Sequence, residues 1–408
     1  MNILLVSSYL PYPLFSGGHI RLFNLIKEVS KKHNITLICE KRDYQGESEI
    51  REVKKFCKKI ITVPRRKQWS LGNILRAGFS LSSFLIVGHT SAQMQKKIRR
   101  ELNENQFDLI HVETSYVTQN IPPTDIPVVL IEHNVEYLVY RRFAENAPFF
   151  MKPLLFLDVL KLKLWEENIW RKVSKLVSVS EGEKEIMKKF RKDIEVVSNG
   201  VDVTKFKILA SLRSGQNSKF KGDGEKRILF IGEFKWIQNR DAIEWILKEI
   251  WPKLKADLIP SMSNSGVKLW IVGRRIPDSI RKLAVDKSVI FDDNAPKDTE
   301  LIYAKSDLLL APIRIGGGTS FKVLEAMASG VPVVTSPLGN AINAKENSEI
   351  LVARTPDEFV NGIKKLLEDE NFYKEISKNA RKLVEEKFNW EKISNDLNAV
   401  YESVVSYA

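Results

Sequence analysis

Apolar residues fall in two spacings along this chain, and the two alternate. Residues 2–8 form a short apolar run, suited to a strand buried on both faces. A loop with Pro11, Pro13, Gly17 and Gly18 follows. From 19 to 31 the apolar positions Leu22, Leu25, Ile26 and Val29 share one helical face. Residues 35–39 are apolar again. Strand, glycine-bearing loop, helix and strand make one right-handed βαβ unit. The spacing predicts further strands at 108–112, 128–131, 176–180 and 194–197, and a mostly helical stretch over 137–173 that breaks near Pro148 and Pro153. Ser180 is placed to cap a helix starting near Glu181.

A second alternation begins after residues 205–226, which are rich in Ser, Gly, Asn and Lys, show little periodicity, and read as a linker. Strands are predicted at 227–231, 267–272, 289–291, 308–311 and 331–335. A helix over 241–255 carries Ile243, Ile246, Leu247, Ile250 and Leu254 on one stripe, and the last helices run over 356–388 and 390–405. The simplest architecture is α/β: two Rossmann-like doubly wound domains, residues 1–204 and 227–389, facing across a cleft. The helix at about 390–408 is expected to pack back on the first. Ligands of open parallel sheets bind beyond the carboxyl ends of the strands, and a cleft there excludes water.

Composition narrows the class. With 43% hydrophobic and 28% charged residues, 408 residues suffice for two cores. No apolar run approaches the ~20 residues that span a bilayer. The first residues lack the cationic start of a signal peptide. Two cysteines, Cys39 and Cys57, fit a reducing cytoplasm, and the five histidines show no zinc-site spacing. The net charge of +13 favours anionic partners, and cations concentrate between Arg51 and Lys67. No nucleic-acid-binding signature is present. That stretch is read either as a solvated helix face with a loop or as a surface that rests on anionic lipid.

The segment richest in chemistry runs from Ser306 to Thr335. A strand is followed by Gly316, Gly317 and Gly318, and a helix then starts near Thr319 or Ser320 and stops at Gly330. Glycines let the backbone approach an anion, and the helix start presents free N–H groups with a positive dipole end. Thr319 and Ser320 add hydroxyls, and Lys322 adds a cation. Glu325, one turn on, can accept two hydrogen bonds from a ribose diol. The structural alternative is a Lys322–Glu325 pair that only steadies the helix.

The run Val323-Leu-Glu-Ala-Met-Ala-Ser-Gly-Val-Pro-Val-Val334 resembles the donor-site signature of glycosyltransferase family 4, the retaining enzymes of GT-B fold. Weaker resemblances cover residues 13–21, 177–180, 197–202, 230–232 and 271–273. The resemblance implies an acceptor-side first domain and a donor-binding second domain. It implies that Glu325 binds the nucleotide ribose and that Gly316, Gly317, Gly318, Thr319 and Ser320 line the donor's sugar and phosphates. Gly17 and Gly18 match the first domain's diphosphate loop, and His133, in Glu132-His-Asn-Val-Glu136, matches a histidine near the transferred sugar. Gly232 matches the start of the second domain. Lys322 is expected to supply phosphate charge, with Lys235 or Arg240 as a helper.

One departure stands out. Many members carry a second glutamate eight residues before the ribose-binding one, and here that position is Gly317, as in a GGGT-type variant. The implied reaction moves a sugar from a nucleoside-diphosphate sugar to a glycan or lipid-linked acceptor with retention, without metal. A catalytically silent nucleotide-sugar-binding subunit and a GT-B epimerase are the alternatives. The expected setting is cytoplasmic, on the inner face of the membrane. There the basic stretch is expected to act with Phe149, Phe150, Leu154, Leu155, Phe156 and the lysines Lys161 and Lys163; the structural alternative is core helices with lysines outside.

Overall fold

The computed structural model describes residues 1–206, 226–258, 266–284, 286–293, 299–315 and 318–406. Most of the expected linker, together with Gly316 and Gly317, lies outside the described residues. The chain divides into two compact units, Met1–Ser198 with Ile393–Ala408, and Asn199–Lys392.

The first unit holds, among the described residues, a parallel sheet of β1 (Asn2–Ser7), β2 (Asn34–Lys41), β3 (Lys59–Pro64), β4 (Leu109–Glu113), β5 (Val128–Glu132), β6 (Lys175–Ser178) and β7 (Ile194–Val196). Their order is β3-β2-β1-β4-β5-β6-β7. The central strands β1 and β4 are buried almost throughout because helices cover both faces, and they are apolar except for Asn2, Ser7, His111 and Glu113. Eight helices accompany this sheet among the described residues before Ser198: α1 (Gly17–Val29), α2 (Glu47–Lys54), α3 (Leu71–Phe79), α4 (Phe84–His89), α5 (Ala92–Glu104), α6 (Glu136–Glu145), α7 (Lys152–Lys172) and α8 (Glu181–Met187). Leu4, Val6, Ile110, Leu130 and Trp170 belong to its buried core.

The second unit repeats the winding. Its strands are β8 (Lys226–Glu233), β9 (Val267–Arg274), β10 (Val289–Asp292), β11 (Leu308–Ala311), β12 (Val333–Thr335) and β13 (Leu351–Val352), ordered β10-β9-β8-β11-β12-β13 and parallel. Helix α9 (Ile237–Trp245) passes through a π turn at Ile246–Ile250 into α10 (Trp251–Leu258). Then come α11 (Asp278–Arg281), α12 (Glu300–Ala304), α13 (Phe321–Ala328), α14 (Pro356–Glu368) and α15 (Glu370–Lys387). The last helix, α16 (Trp390–Val405), returns to the first unit from Ile393 onward. There Tyr401 Oη bonds His111 Nδ1 at 2.5 Å, and Asn398 Oδ1 bonds His33 Nε2 at 3.1 Å.

Both sheets therefore reverse strand order beside their first strand. The switch lies between β1 and β4 in the first unit and between β8 and β11 in the second. In this winding the crevice beyond the carboxyl ends at the switch is where ligands bind.

Candidate active site

In the second unit, β8 ends at Gly232-Glu233 beside β11, which ends at Ala311. The chain leaves β11 through Arg314 and the glycine run and enters α13. The guanidinium of Arg314 grips Asp241 of α9 with two bonds, at 3.1 and 2.8 Å, and lies 4.5 Å over the Trp245 ring. These contacts hold Arg314 between β11 and α9. Gly318 has φ 71°, which glycine adopts without a Cβ penalty. Ser320 stands at the N-cap, but its hydroxyl makes no capping bond. The first-turn amides of α13 thus lack a side-chain acceptor, and they carry the positive end of the helix dipole. The Thr319 carbonyl accepts from Asn199 Nδ2 at 3.0 Å.

Helix α13 stops where the sequence says it should. Gly330 takes φ 66°, Val331 N–H bonds the Ala326 carbonyl at 2.8 Å, and Gly330 N–H bonds that of Met327 at 3.0 Å. This is a Schellman closure. It fixes the register of the whole helix, and with it the directions of Lys322 and Glu325.

Those two side chains are not ion-paired with each other. Lys322 Nζ donates to Asn239 Oδ1 at 2.8 Å and lies 4.9 Å over the Phe230 ring. Asn239 in turn donates to the Glu233 carbonyl at 2.9 Å. A Cβ on Gly232 would come within 2.7–2.9 Å of the Asn239 amide, so this strand end has to be glycine for Asn239 to sit there. Glu325 accepts from Tyr303 Oη at 3.0 Å. Burial lowers the Lys322 ammonium to about 8, with Glu325 opposing the shift. Burial raises Glu325 to about 7, offset by the Tyr303 hydroxyl and by Lys205. A cation and a carboxylate are thus held one turn apart by neutral partners, beside Gly318 and a helix start. That arrangement suits a diphosphate followed by a diol. It does not fit the alternative of a helix-steadying pair.

The first unit builds its own cluster at its switch. β4 ends at Glu113, which is fully buried. Its Oε1 meets His133 Nε2 at 2.5 Å and its Oε2 meets His111 Nε2 at 2.6 Å. Arg21 Nε lies 3.8 Å from Oε1, while the Arg21 guanidinium also donates to the carbonyls of Ser198 and Val197 at 2.7 and 2.8 Å. Burial alone would raise the Glu113 carboxyl, but the two histidines outweigh it and hold it well below the usual carboxylate range. Glu113 therefore stays charged and fixes the His133 ring. Helix α1 begins at Gly17. The Ser16 hydroxyl bonds His19 Nδ1 at 2.6 Å and gives α1 no cap, so this helix start is also free of a side-chain acceptor. A Cβ on Gly18 would lie 3.6 Å from His133 Nδ1, and the Gly18 carbonyl accepts from Tyr9 Oη at 3.2 Å.

The structure thus brings Gly18 and His133 together in the first unit, and Gly232, Gly318, Lys322 and Glu325 into one neighbourhood in the second. Gly17 opens α1, and Thr319 and Ser320 lead into α13. Gly316 and Gly317 lie outside the described residues. Arg240 is half-buried and makes no side-chain hydrogen bond or ion pair among the described residues; the partner of Lys322 is its neighbour, Asn239. Lys235 is exposed and lies 5.7 Å over Trp236. Sequence reasoning missed Asn239, Tyr303, Arg314, Glu113 and Arg21. Only Glu113 left a trace, as an acid ending a buried strand.

Comparison with known proteins agrees with this geometry. A model for Glycosyltransferase Family 4 matches residues 15–205, and one for Glycosyl transferases group 1 matches residues 225–369. A protein of the cps region of Klebsiella pneumoniae is 24% identical, covering 97% of this chain and 98% of its own length. Among solved structures, sucrose-phosphate synthase from Thermosynechococcus elongatus superposes with a TM-score of 0.71 at 15% identity, covering 100% of both chains. The HepE protein of Anabaena, in complex with UDP and glucose, superposes with a TM-score of 0.62 at 14% identity, over 99% of this chain and 100% of that one. Two family models that take up one unit each, on sheets wound in this order, identify the chain as a glycosyltransferase of the family 4 type, with two Rossmann-like domains of the GT-B fold.

Proposed function

We propose that the chain transfers a sugar from a nucleoside-diphosphate sugar to a glycan or lipid-linked saccharide, with retention of configuration and without a metal ion. The observation that carries this reading is the placement of Lys322 and Glu325 on the first turns of α13, each held by a neutral partner and not by the other. The diphosphate takes the glycine turn, the α13 amides and Lys322. The ribose diol takes Glu325. HepE, a structural neighbour, was solved with UDP and glucose, which supports a uridine donor as the first to try.

In the reaction the bond from sugar C1 to the diphosphate oxygen breaks and negative charge grows on that oxygen. Fixed donors aimed at the oxygen lower the barrier because they need no reorganisation. Lys322 and the helix amides supply the positive charge that a metal would otherwise bring. The acceptor oxygen bonds C1 on the face the diphosphate leaves, and its proton passes to the departing phosphate oxygen. Glu113 is locked by His111, His133 and Arg21, so it orients His133 and does not attack C1. His133 offers Nδ1 to a sugar hydroxyl. The two cysteines are free and buried, in keeping with a cytoplasmic setting.

The test is turnover of a nucleotide-sugar panel by the purified chain, with the product anomer read by NMR. Product of the donor's own configuration, formed equally with EDTA present, is expected. An inverted product would remove retention, and loss of activity in EDTA restored by a divalent cation would remove the metal-free reading. Donor binding with no turnover on any acceptor would favour a silent binding subunit.

A further inference from the structure

Of the large apolar side chains exposed among the described residues, most fall between Trp69 and Leu164, all in the first unit. Phe79 is 91% exposed, Leu81 93% and Phe149 84%. On α7, Leu154, Leu157, Leu160 and Leu164 are all exposed, at a spacing that puts them on one face. On α3, Leu71, Ile74 and Leu75 are exposed as well. These surfaces are joined. Lys161 Nζ of α7 donates to the Ala77 carbonyl of α3 at 2.7 Å, Asp158 of α7 accepts the Phe84 amide of α4 at 2.8 Å, and the Trp69 and Phe84 rings are 4.8 Å apart.

Water is a poor solvent for so concentrated an apolar surface, and on a soluble chain such a patch marks an interaction site. Its charge says what covers it. Residues 65–82 hold Arg65, Arg66, Lys67 and Arg76 and no acid. Residues 139–164 hold five cations against Glu145 and Asp158. Asp158 is taken by the Phe84 amide and Glu145 by Arg141 at 2.9 Å. Arg66, Lys67, Arg76 and Arg142 are exposed around the apolar residues. Two copies of this face would repel each other, whereas an anionic lipid surface attracts it. A layer of apolar tips with cations beside them matches the boundary between acyl chains and headgroups. No helix among the described residues is long and apolar enough to cross a membrane, so the contact is in the plane.

We propose that α3, the turn at Phe79–Leu81, the α6–α7 connection and the exposed face of α7 form a docking surface for anionic bilayers, with Phe79, Leu81 and Phe149 inserted and Arg66, Lys67 and Arg76 on headgroups. The basic stretch read from the sequence is thereby divided. Arg66 and Lys67 lead into this surface, while Arg51 to Lys59 run from α2 through the turn after it to the start of β3. The inference deepens the lipid-linked arm of the proposed function but does not depend on donor chemistry.

The test is flotation of the full chain with vesicles of phosphatidylcholine alone and of phosphatidylcholine with phosphatidylglycerol, alongside sedimentation velocity without lipid. We expect binding only to the anionic vesicles, weakened by salt, by a monomeric chain. The Phe79→Ser/Leu81→Ser variant and the Arg66→Ala/Lys67→Ala/Arg76→Ala variant should each lose about tenfold or more in binding. Nucleotide affinity should stay unchanged in both, and should a serine variant misfold, the alanine variant decides. Binding indifferent to lipid charge, no binding at all, or a dimer that the serine variant dissociates would each overturn the proposal. Nucleotide affinity reads the donor site separately.

Discussion

Lys322 and Glu325 do opposite work from opposite protonation states, and burial pushes both toward neutrality. Donor capture needs Glu325 ionised to accept from a diol and Lys322 protonated to meet a phosphate. With Glu325 raised to about 7 and Lys322 lowered to about 8, kcat/KM should trace a narrow bell with its limbs at about those values. Glu325→Gln should remove the acid limb and lower kcat/KM about tenfold or more, the size of a lost charge-assisted bond. A flat profile between pH 6 and 9 would show that neither group acts in capture. Gly232 is the second residue to probe. Alanine there pushes its Cβ into the Asn239 amide, displaces the partner of Lys322 and should weaken nucleotide binding about tenfold, with a modest loss of stability. Unchanged binding in calorimetry would mean that Asn239 does not position Lys322.

At the scale of elements, the chain was readable where one local rule dominates. Apolar runs bounded by glycine announced the central strands, and Gly330 announced the end of α13. The region from 42 to 105 was harder to read. β3 is an edge strand with Lys59 at its start, Pro64 at its end and mostly half-exposed side chains, so it lacks the apolar run of a central strand. It sits inside the basic stretch, whose charge reads as a helix face with a loop or as a lipid-facing surface and predicts no strand. The site residues missed are those whose role comes from tertiary approach. Asn239 and Tyr303 reach α13 from other helices, and Glu113 meets His133 across adjacent strands.

Elements also concentrate acids. Glu166 of α7 accepts from the Glu136 and Tyr137 amides and so caps α6, while Glu132 accepts from the Ser115 amide and the Trp170 indole. Burial raises Glu132 and Glu136 to about 7, Glu183 to about 8, and Glu166 well above its ordinary value. Their unfolded values lie near ~4.3. Between those values and the raised ones the folded chain binds more protons than the unfolded chain. Stability is then fully present below about pH 4 as far as these groups are concerned, and it falls as pH rises through 7–8. Tm should be lower at pH 8.5 than at pH 6, and Glu183→Gln should flatten that slope. A Tm that rises over this interval would contradict the account of these carboxylates.

At the scale of the whole molecule, one winding serves twice. Each unit reverses its strand order beside its first strand, and each places there a helix start with no side-chain cap, α1 at Gly17–Gly18 and α13 after Gly318. The sequence showed the second of these through its glycines, Lys322 and Glu325. It showed the first only through the family resemblance, because two glycines in a loop have many uses. The apolar surface around Phe79 was half legible, since exposure is not written in the pattern of a single helix.

In the proposed reaction the start of α13 holds a nucleoside diphosphate. Titration calorimetry of the full chain with nucleoside diphosphates tests it most directly. Saturable binding of at least one of them is expected, weakened about tenfold or more by Lys322→Ala and by Glu325→Ala, and unchanged by Phe79→Ser/Leu81→Ser. Equal affinity in the wild type and both α13 variants would contradict it.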